Sequence, residues 1–385
     1  MNFSLTEQHQ RWQQTARDFA QNEVAPIARE MDEKGAMPLA LVQGMAELGI
    51  LGATLSKQLG GSEMDSLSLA LVYEELGRAC SSVRGFLTVH SSLVSQCINA
   101  WANDEQKSKW LPLLTSGKNI GCYCLTEPEA GSDAASIQTR ATKVAGGFLL
   151  NGEKIWITNA NIADVAIVFT KYDTGEDLKP HQKITAFLVE TKTQGFDRKP
   201  MPGRELGHRA SDHAHITFQD CFVPEENVLG SIGQGFKVAM SALDHGRLGV
   251  AAGAVGVHQA CLDASVDFVR KRKQFGQRIG DFGMVQSAIA EMHASLEASR
   301  QLVYKAAWEK DSSSSPSLAI STAKYFAVEA ALKAASEAVL IHGGRGYSNE
   351  YPVERYYRDI KGMQIYEGTA YIQKFVIARA VIGKP

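Results

Sequence analysis

The hydrophobic period of this chain changes twice, and nothing else in the sequence constrains its fold as much. From Thr6 to about Gly117, apolar residues recur at three- and four-residue intervals in Ala-, Glu- and Gln-rich segments, the spacing of amphipathic helices. Pro26, Pro38, the Gly60-Gly61 pair and Pro112 punctuate them, and Asn103-Asp104 has the chemistry of a helix start. Between about Ile120 and Val228 the period becomes two, in FLLNGEKIWIT, DVAIVFTKYD, ITAFLVE and AHITFQDCFV. Gly146-Gly147, Asn151-Gly152 and Asp173-Thr174-Gly175 serve there as turn signals. Beyond Gly235 the helical period returns over Phe236 to Lys273, Gly283 to Lys310, Leu318 to Ile341 and Thr369 to Ile382. The spacing therefore predicts an α+β multidomain chain: an N-terminal α-helical domain over 1–119, a middle antiparallel β domain over 120–230, and a C-terminal four-helix bundle over 231–385. At roughly 150 residues per domain, 385 residues allow two to three domains.

This segregated order argues against a doubly wound nucleotide fold. Gly343-Gly344-x-Gly346 follows a helix and no strand, so it lacks the context of a dinucleotide fingerprint. The 40 Lys+Arg against 42 Asp+Glu give a formal net charge of −2, which supplies no overall drive toward nucleic acid or anionic lipid. No membrane span is expected: Leu318 to Ile341 is interrupted by Lys324, Glu329, Lys333 and Glu337, and the last three form one water-facing helix stripe. The N-terminus lacks the basic start and unbroken apolar run of a secretory signal. Six cysteines (Cys80, Cys97, Cys122, Cys124, Cys221, Cys261) have neither zinc-site spacing nor the density of a disulfide scaffold, so no metal is expected and a reducing cytoplasm fits best. The run from Asp311 to Pro316 reads as a polar connection between two helices.

Three segments carry chemistry. Tyr123 to Asp133 (YCLTEPEAGSD) places small and hydroxyl residues around Pro and Gly, which exposes donors suited to a heteroaromatic ring or a phosphate; it also reads as a tight interdomain loop. Lys154 to Ala160 (KIWITNA) puts the Trp156 indole two residues from Thr158 on one strand face, either for stacking or as core. Ile365 to Thr369 (IYEGT) leads an apolar and aromatic run into a carboxylate and a helix-capping Thr. Burial raises the pKa of such a carboxylate, as a base for a weakly acidic C–H requires, and an acid beside a helix N-terminus is the plainer alternative.

In this order and wording the three segments resemble the acyl-CoA dehydrogenase family, and the likeness extends over nearly the whole chain. Further matching stretches are Gly207-x-Arg209-Ala210-Ser211, Val223-Pro224 through Leu229-Gly230, Asp244-His245-Gly246-Arg247, Arg272-Lys273-Gln274-Phe275-Gly276, Gly343-Gly344-x-Gly346 and Arg358-Asp359. The resemblance implies FAD-dependent dehydrogenation of an acyl thioester, with Glu367 taking the α-proton while the flavin accepts hydride from the β-carbon. It implies that Tyr123, Leu125, Thr126, Gly131, Ser132, Trp156, Ile157, Thr158 and Thr369 contact FAD. It also implies that Arg272, Phe275, Gly343 and Gly344 reach the FAD of a neighbouring subunit, in a homodimer or homotetramer. Ser132, Asp244, Arg247, Tyr366 and Gly368 fall at substrate positions. Gly283 and Leu340 stand where relatives commonly carry glutamines that touch the adenine end of FAD. Reduced flavin would pass its electrons to a carrier flavoprotein or to O2.

A narrower resemblance concerns the substrate. Cys80 to His90 (CSSVRGFLTVH) sets Arg84 and His90 in a helix that lines the acyl pocket in relatives. With Arg209-Ala210-x-x-His213-Ala214 and Gly249-Val250-Ala251-x-Gly253-x-Val255-Gly256, it looks like the branch making hydroxymalonyl or methoxymalonyl extender units on acyl carrier proteins, as in polyketide biosynthesis. The expected substrate is then a short polar acyl group such as glyceryl on a carrier protein, contacted by Arg84 and His90. The alternative is an ordinary short- or branched-chain acyl-CoA dehydrogenase, and a minor one is a non-catalytic relative used as a binding protein.

Overall fold

Side-chain caps set three of the helix starts in the first third of the chain. In the computed structural model, which describes residues 4–172, 177–313 and 315–383, seven α-helices come first. They are α1 (Glu7–Phe19), α2 (Ala28–Lys34), α3 (Leu39–Glu47), α4 (Ser66–Ala79), α5 (Ser81–Leu87), α6 (Gln96–Trp101) and α7 (Asp104–Thr115). Thr6 and His9 close a capping box on α1, the Asp65 carboxylate accepts from the Ser68 N–H at the head of α4, and Asn103 with Gln106 forms the box that opens α7. Pro112 does not break the chain as expected. It lies near the end of α7, where its missing N–H removes one helical bond just before the helix stops. A π-helical stretch, Thr88–Ser95, carries α5 into α6; such turns concentrate at functional sites.

The β region holds β1 (Gly121–Cys124), β2 (Arg140–Val144), β3 (Gly147–Thr158), β4 (Val165–Lys171), β5 (Ile184–Glu190), β6 (Phe196–Pro200), β7 (His213–Pro224) and β8 (Val228–Leu229). The sheet order is β6-β7-β3-β2-β4-β5-β8, with β1 paired to β4. The pairs are antiparallel except β1 with β4 and the short β2–β4 pair, which are parallel. Asn151-Gly152 is not a turn. It is an irregularity inside β3, where the register against β7 shifts and a Cβ on Gly152 would lie 2.7 Å from the Thr139 Cα. The turn signal at Asp173-Thr174-Gly175 and Ser314 of the serine run lie outside the described residues.

Five helices follow: α8 (Gly235–Lys271), α9 (Gly283–Ser312), α10 (Ser317–His342), α11 (Val353–Met363) and α12 (Ala370–Ile382). Four match the expected segments. The fifth, α11, went unread because its charged residues mask its period: Arg355 and Asp359 are buried beside Val353, Ile360 and Met363. The architecture is the expected one, helical, then β, then helix-rich. One hydrophobic core runs from Ala16 through Phe148 and Ile216 to Ala338 and so joins all three parts. Helix α4 crosses α8 closely, since a Cβ on Gly77 would stand 2.6 Å from the Gly253 carbonyl oxygen. No described helix is long and apolar enough to cross a membrane, and the six cysteines are free and buried.

Candidate active site

The loop between α11 and α12 carries Glu367 in a left-handed conformation, φ 55°, followed by Gly368 at φ 83°. Its three successive carbonyls are each held by buried groups. Lys324 Nζ donates to the Tyr366 oxygen at 2.6 Å and also to the Gly368 oxygen. Arg247 Nε and Gln373 Nε2 donate to the Glu367 oxygen at 3.4 and 3.2 Å, and Gln373 reaches the Gly368 oxygen at 3.0 Å. Thr369 caps α12 by accepting from the Ile372 N–H. Among the described residues no acceptor meets the Glu367 N–H.

The Glu367 side chain lies over the backbone of α8 at Gly246. Its Oε2 is buried and has no hydrogen-bond partner. Burial pushes this carboxyl well above the usual carboxylate range, and Lys324, Arg247 and Arg84 pull it partly back. Asp244 accepts from Arg247 Nη1 at 2.9 Å and so orients that guanidinium.

Arg84 is buried, with Nη1 donating to Thr88 Oγ1 at 3.1 Å and Nη2 to the Tyr366 hydroxyl, while Nε is buried without a partner. Among the described residues no carboxylate forms an ion pair with it. Tyr73, bonded to Ser92 at 2.7 Å, completes a polar wall beside Glu367. His90, expected at the substrate, is fully buried with neither ring nitrogen free. Its Nε2 meets the Leu114 carbonyl, its Nδ1 accepts from the Gly121 N–H, and its ring stacks on Phe86. With both nitrogens spent on backbone and burial pulling its pKa down to about 4, it is a neutral bracket between α7 and β1.

The first two motifs meet through contacts the sequence reading did not assign. Buried Lys154 donates to the Leu125 carbonyl at 3.1 Å and to Glu127 at 2.7 Å, and the Ile155 N–H donates to the Thr126 carbonyl at 3.0 Å. Glu127 also accepts from the N–H groups of Gln138 and Thr139. The segment from Leu125 to Glu127 is thereby tied to β3 just before Trp156. There β3 is irregular: the register shifts between Lys154 and Ile157, Trp156 sits at φ 59°, and its indole is 51% exposed. Tyr123 and Ile157 point into the core, the Tyr123 hydroxyl donating to the Ala239 carbonyl, so any ligand contact they make is through backbone. Thr126 and Thr158 are half-buried, and Gly131 and Ser132 are exposed on the loop beyond.

Arg272, Phe275, Gly343 and Gly344 are all exposed. Phe275 sits at the tip of a two-strand hairpin whose central residues, Phe275 and Gly276, both have positive φ, and its ring is 94% exposed. Gly283 and Leu340 are exposed as well. Lys324 is the clearest omission from the sequence reading. It precedes the Glu329, Lys333, Glu337 stripe by five residues, which rotates it roughly 140° away, onto the buried face. That offset was the available signal.

A buried, unpartnered carboxylate among buried cations, in a chain that also presents an exposed indole where a strand loses its register, is equipment suited to an enzyme that removes a proton next to a flat cofactor. Comparison with known proteins identifies the class. The N-terminal, middle and C-terminal domains of acyl-CoA dehydrogenase match residues 6–118, 122–221 and 233–382. A probable acyl-CoA dehydrogenase of Bacillus subtilis is 42% identical over 99% of this chain and 100% of its own length. Butyryl-CoA dehydrogenase from Megasphaera elsdenii superposes with a TM-score of 0.95 at 40% identity, covering 100% of both chains. Glutaryl-coenzyme A dehydrogenase in its glutaryl-CoA complex does so with a TM-score of 0.95 at 36% identity, covering 100% of this chain and 98% of that one. The chain belongs to the acyl-CoA dehydrogenase family, FAD-dependent oxidoreductases that act on acyl thioesters. These relatives are themselves called acyl-CoA, butyryl-CoA and glutaryl-coenzyme A dehydrogenases.

Proposed function

We propose that this protein dehydrogenates a short acyl-CoA thioester to the 2-enoyl-CoA, with Glu367 as the base. The observation that supports this reading is the unpartnered, buried Glu367 Oε2, held in place through its own backbone and not through its carboxylate. The residues fit FAD: a half-exposed indole at an irregular strand edge, two flanking threonines and a tied-down loop offer a flat face with donors around it. Trp156, Thr126, Thr158, the backbone of Tyr123, Leu125 and Ile157, and the Gly131-Ser132 loop would hold the isoalloxazine end, with Thr369 near it. When bound, FAD accepts the β-hydride. The free Glu367 N–H polarises the thioester carbonyl and so acidifies the α-position, whose proton passes to Glu367 Oε2. Arg247, set by Asp244, fixes the base from the α8 side, and Tyr366, Gly368 and Ser132 border the path of the thioester arm.

Phe275, which meets only the edge of Phe282 among the described aromatic rings, is 94% exposed at the hairpin tip, and Arg272 and Gly343-Gly344 are exposed too, which supports their completing the FAD site of a second subunit in a homodimer or homotetramer. Electrons leave for an acceptor flavoprotein or O2, and six buried free thiols suit the cytoplasm.

Arg84 supports a second reading. A guanidinium buried near the base with no ion-pair partner among the described residues disfavours a plain alkyl end and suits a hydroxylated or anionic acyl group, such as glyceryl on a carrier protein. Anaerobic reduction of the flavin by butyryl-, isovaleryl-, glutaryl- and hydroxyacyl-CoA, and by carrier-bound glyceryl, separates the two. Fast reduction by butyryl-CoA supports the first; preference for polar thioesters that Arg84→Leu abolishes supports the second. Absence of reduction by every thioester refutes both.

A further inference from the structure

We propose that Lys324 is a positioning residue for proton transfer: it anchors the carbonyls on either side of Glu367 and, as an ammonium, offsets part of the cost of a buried carboxylate there. This inference rests on Glu367 acting as the base. Lys324 lies in the middle of α10, on the face turned to the core, with 2% of its surface exposed. A lysine there gives up its hydration, and its only hydrogen bonds among the described residues go to the Tyr366 and Gly368 carbonyls. Both belong to the loop that must keep Glu367 at φ 55°, a conformation unfavourable for a residue with a side chain. One ammonium thus bridges the residues before and after the base and fixes the segment that aims it.

Charge adds a second role. The groups facing Glu367 are Lys324 from α10, Arg247 from α8, Arg84 from α5, Tyr73 from α4, Tyr123 from β1 and its neighbour Tyr366. After burial, which raises the carboxyl, Lys324 is the largest opposing influence. The effect is mutual: burial, with Arg247 and Arg84 behind it, pulls the Lys324 ammonium down, and Glu367 supports it. A base works only when deprotonated, so flavin reduction rises with pH through the Glu367 titration. Removing the Lys324 charge raises that pKa further and moves the acid limb upward.

The test uses Lys324→Met, which removes both charge and donors, and Lys324→Gln, which keeps donors without charge, each as flavin-loaded protein. Single-turnover flavin reduction is followed against pH. In parallel, the protonated Glu367 carboxyl is titrated by infrared difference spectroscopy against Glu367→Gln, a readout independent of turnover. Both variants should shift the acid limb and the infrared titration upward by about one pH unit or more. Only Lys324→Met should also slow the reaction at its high-pH plateau, because only there is the loop unanchored. Unchanged titrations in flavin-loaded variants overturn the proposal. If neither variant folds, Lys324→Arg decides: a permanent charge should leave the limb at or below its wild-type position, and an upward shift refutes the electrostatic role. Should no thioester reduce the wild type, the dehydrogenase reading fails, while the infrared titration still decides the role of Lys324.

Discussion

Placing a single methyl group beneath the base tests the geometry of the site most directly. A Cβ built on Gly246 stands 2.5 Å from Glu367 Oε2, 2.7 Å from its Cδ and 3.0 Å from Leu93 Cδ2. In Gly246→Ala the carboxylate cannot stay where it is, and Leu93 closes one direction of escape. It must retreat by roughly 1 Å, and a misplacement of that size costs about 100-fold in a reaction that depends on near-attack geometry. The helix itself should not suffer, since Ala is favoured over Gly in a helix interior by about 1 kcal/mol. The variant is therefore expected to hold FAD and melt no lower than wild type, while stopped-flow flavin reduction at saturating thioester falls by about two orders of magnitude. A rate within about threefold of wild type would show that Glu367 has room to spare, and the argument from close approach would be wrong.

Glu367→Gln should keep its flavin yet slow reduction by about three orders of magnitude, because a carboxamide cannot accept the α-proton; rapid single-turnover reduction would require another base. Lys154→Met leaves Glu127 buried without its cation, which should cost about 3–5 kcal/mol, lower the melting temperature and loosen the Leu125 to Glu127 segment so that FAD is lost on gel filtration. Combining it with Glu127→Gln should restore part of the stability, as thermal denaturation would show.

The order of helical, β and helical regions was legible because the two hydrophobic periods differ so plainly, and the helix start at Asn103 was legible from its capping chemistry; the caps at Thr6 and Asp65 obey the same rule but were not singled out. What local pattern could not show was set by partners distant in sequence. Asn151-Gly152 has the composition of a hairpin turn, but pairing with β7 turns it into a strand irregularity, with Asn151 bonded to Asp220. His90 looked like a polar group in an acyl pocket until Leu114 and Gly121 took both its nitrogens. Glu367 and the motif around it could be picked out from the sequence. The cations that govern it come from α5, α8 and α10, and no spacing along the chain brings those three together. Lys154 stands within a quoted motif, yet its burial against Glu127 depends on the fold bringing β3 beside the loop.

The glycine crossing of α4 and α8 bears on how this enzyme can change. A Cβ on Gly253 would meet Arg84 Nε at 2.8 Å on one side, while Gly77 leans on the Gly253 backbone from the other. The arginine that faces Glu367 and the joint between the N-terminal and C-terminal helices are thus the same few atoms. Substitutions are coupled there: exchanging Arg84 for a smaller side chain opens space that an alanine at position 253 can fill, whereas the alanine introduced first collides with the arginine side chain. Order of substitution matters, and a library that varies Arg84 without Gly77 and Gly253 samples only part of the packings open to this crossing.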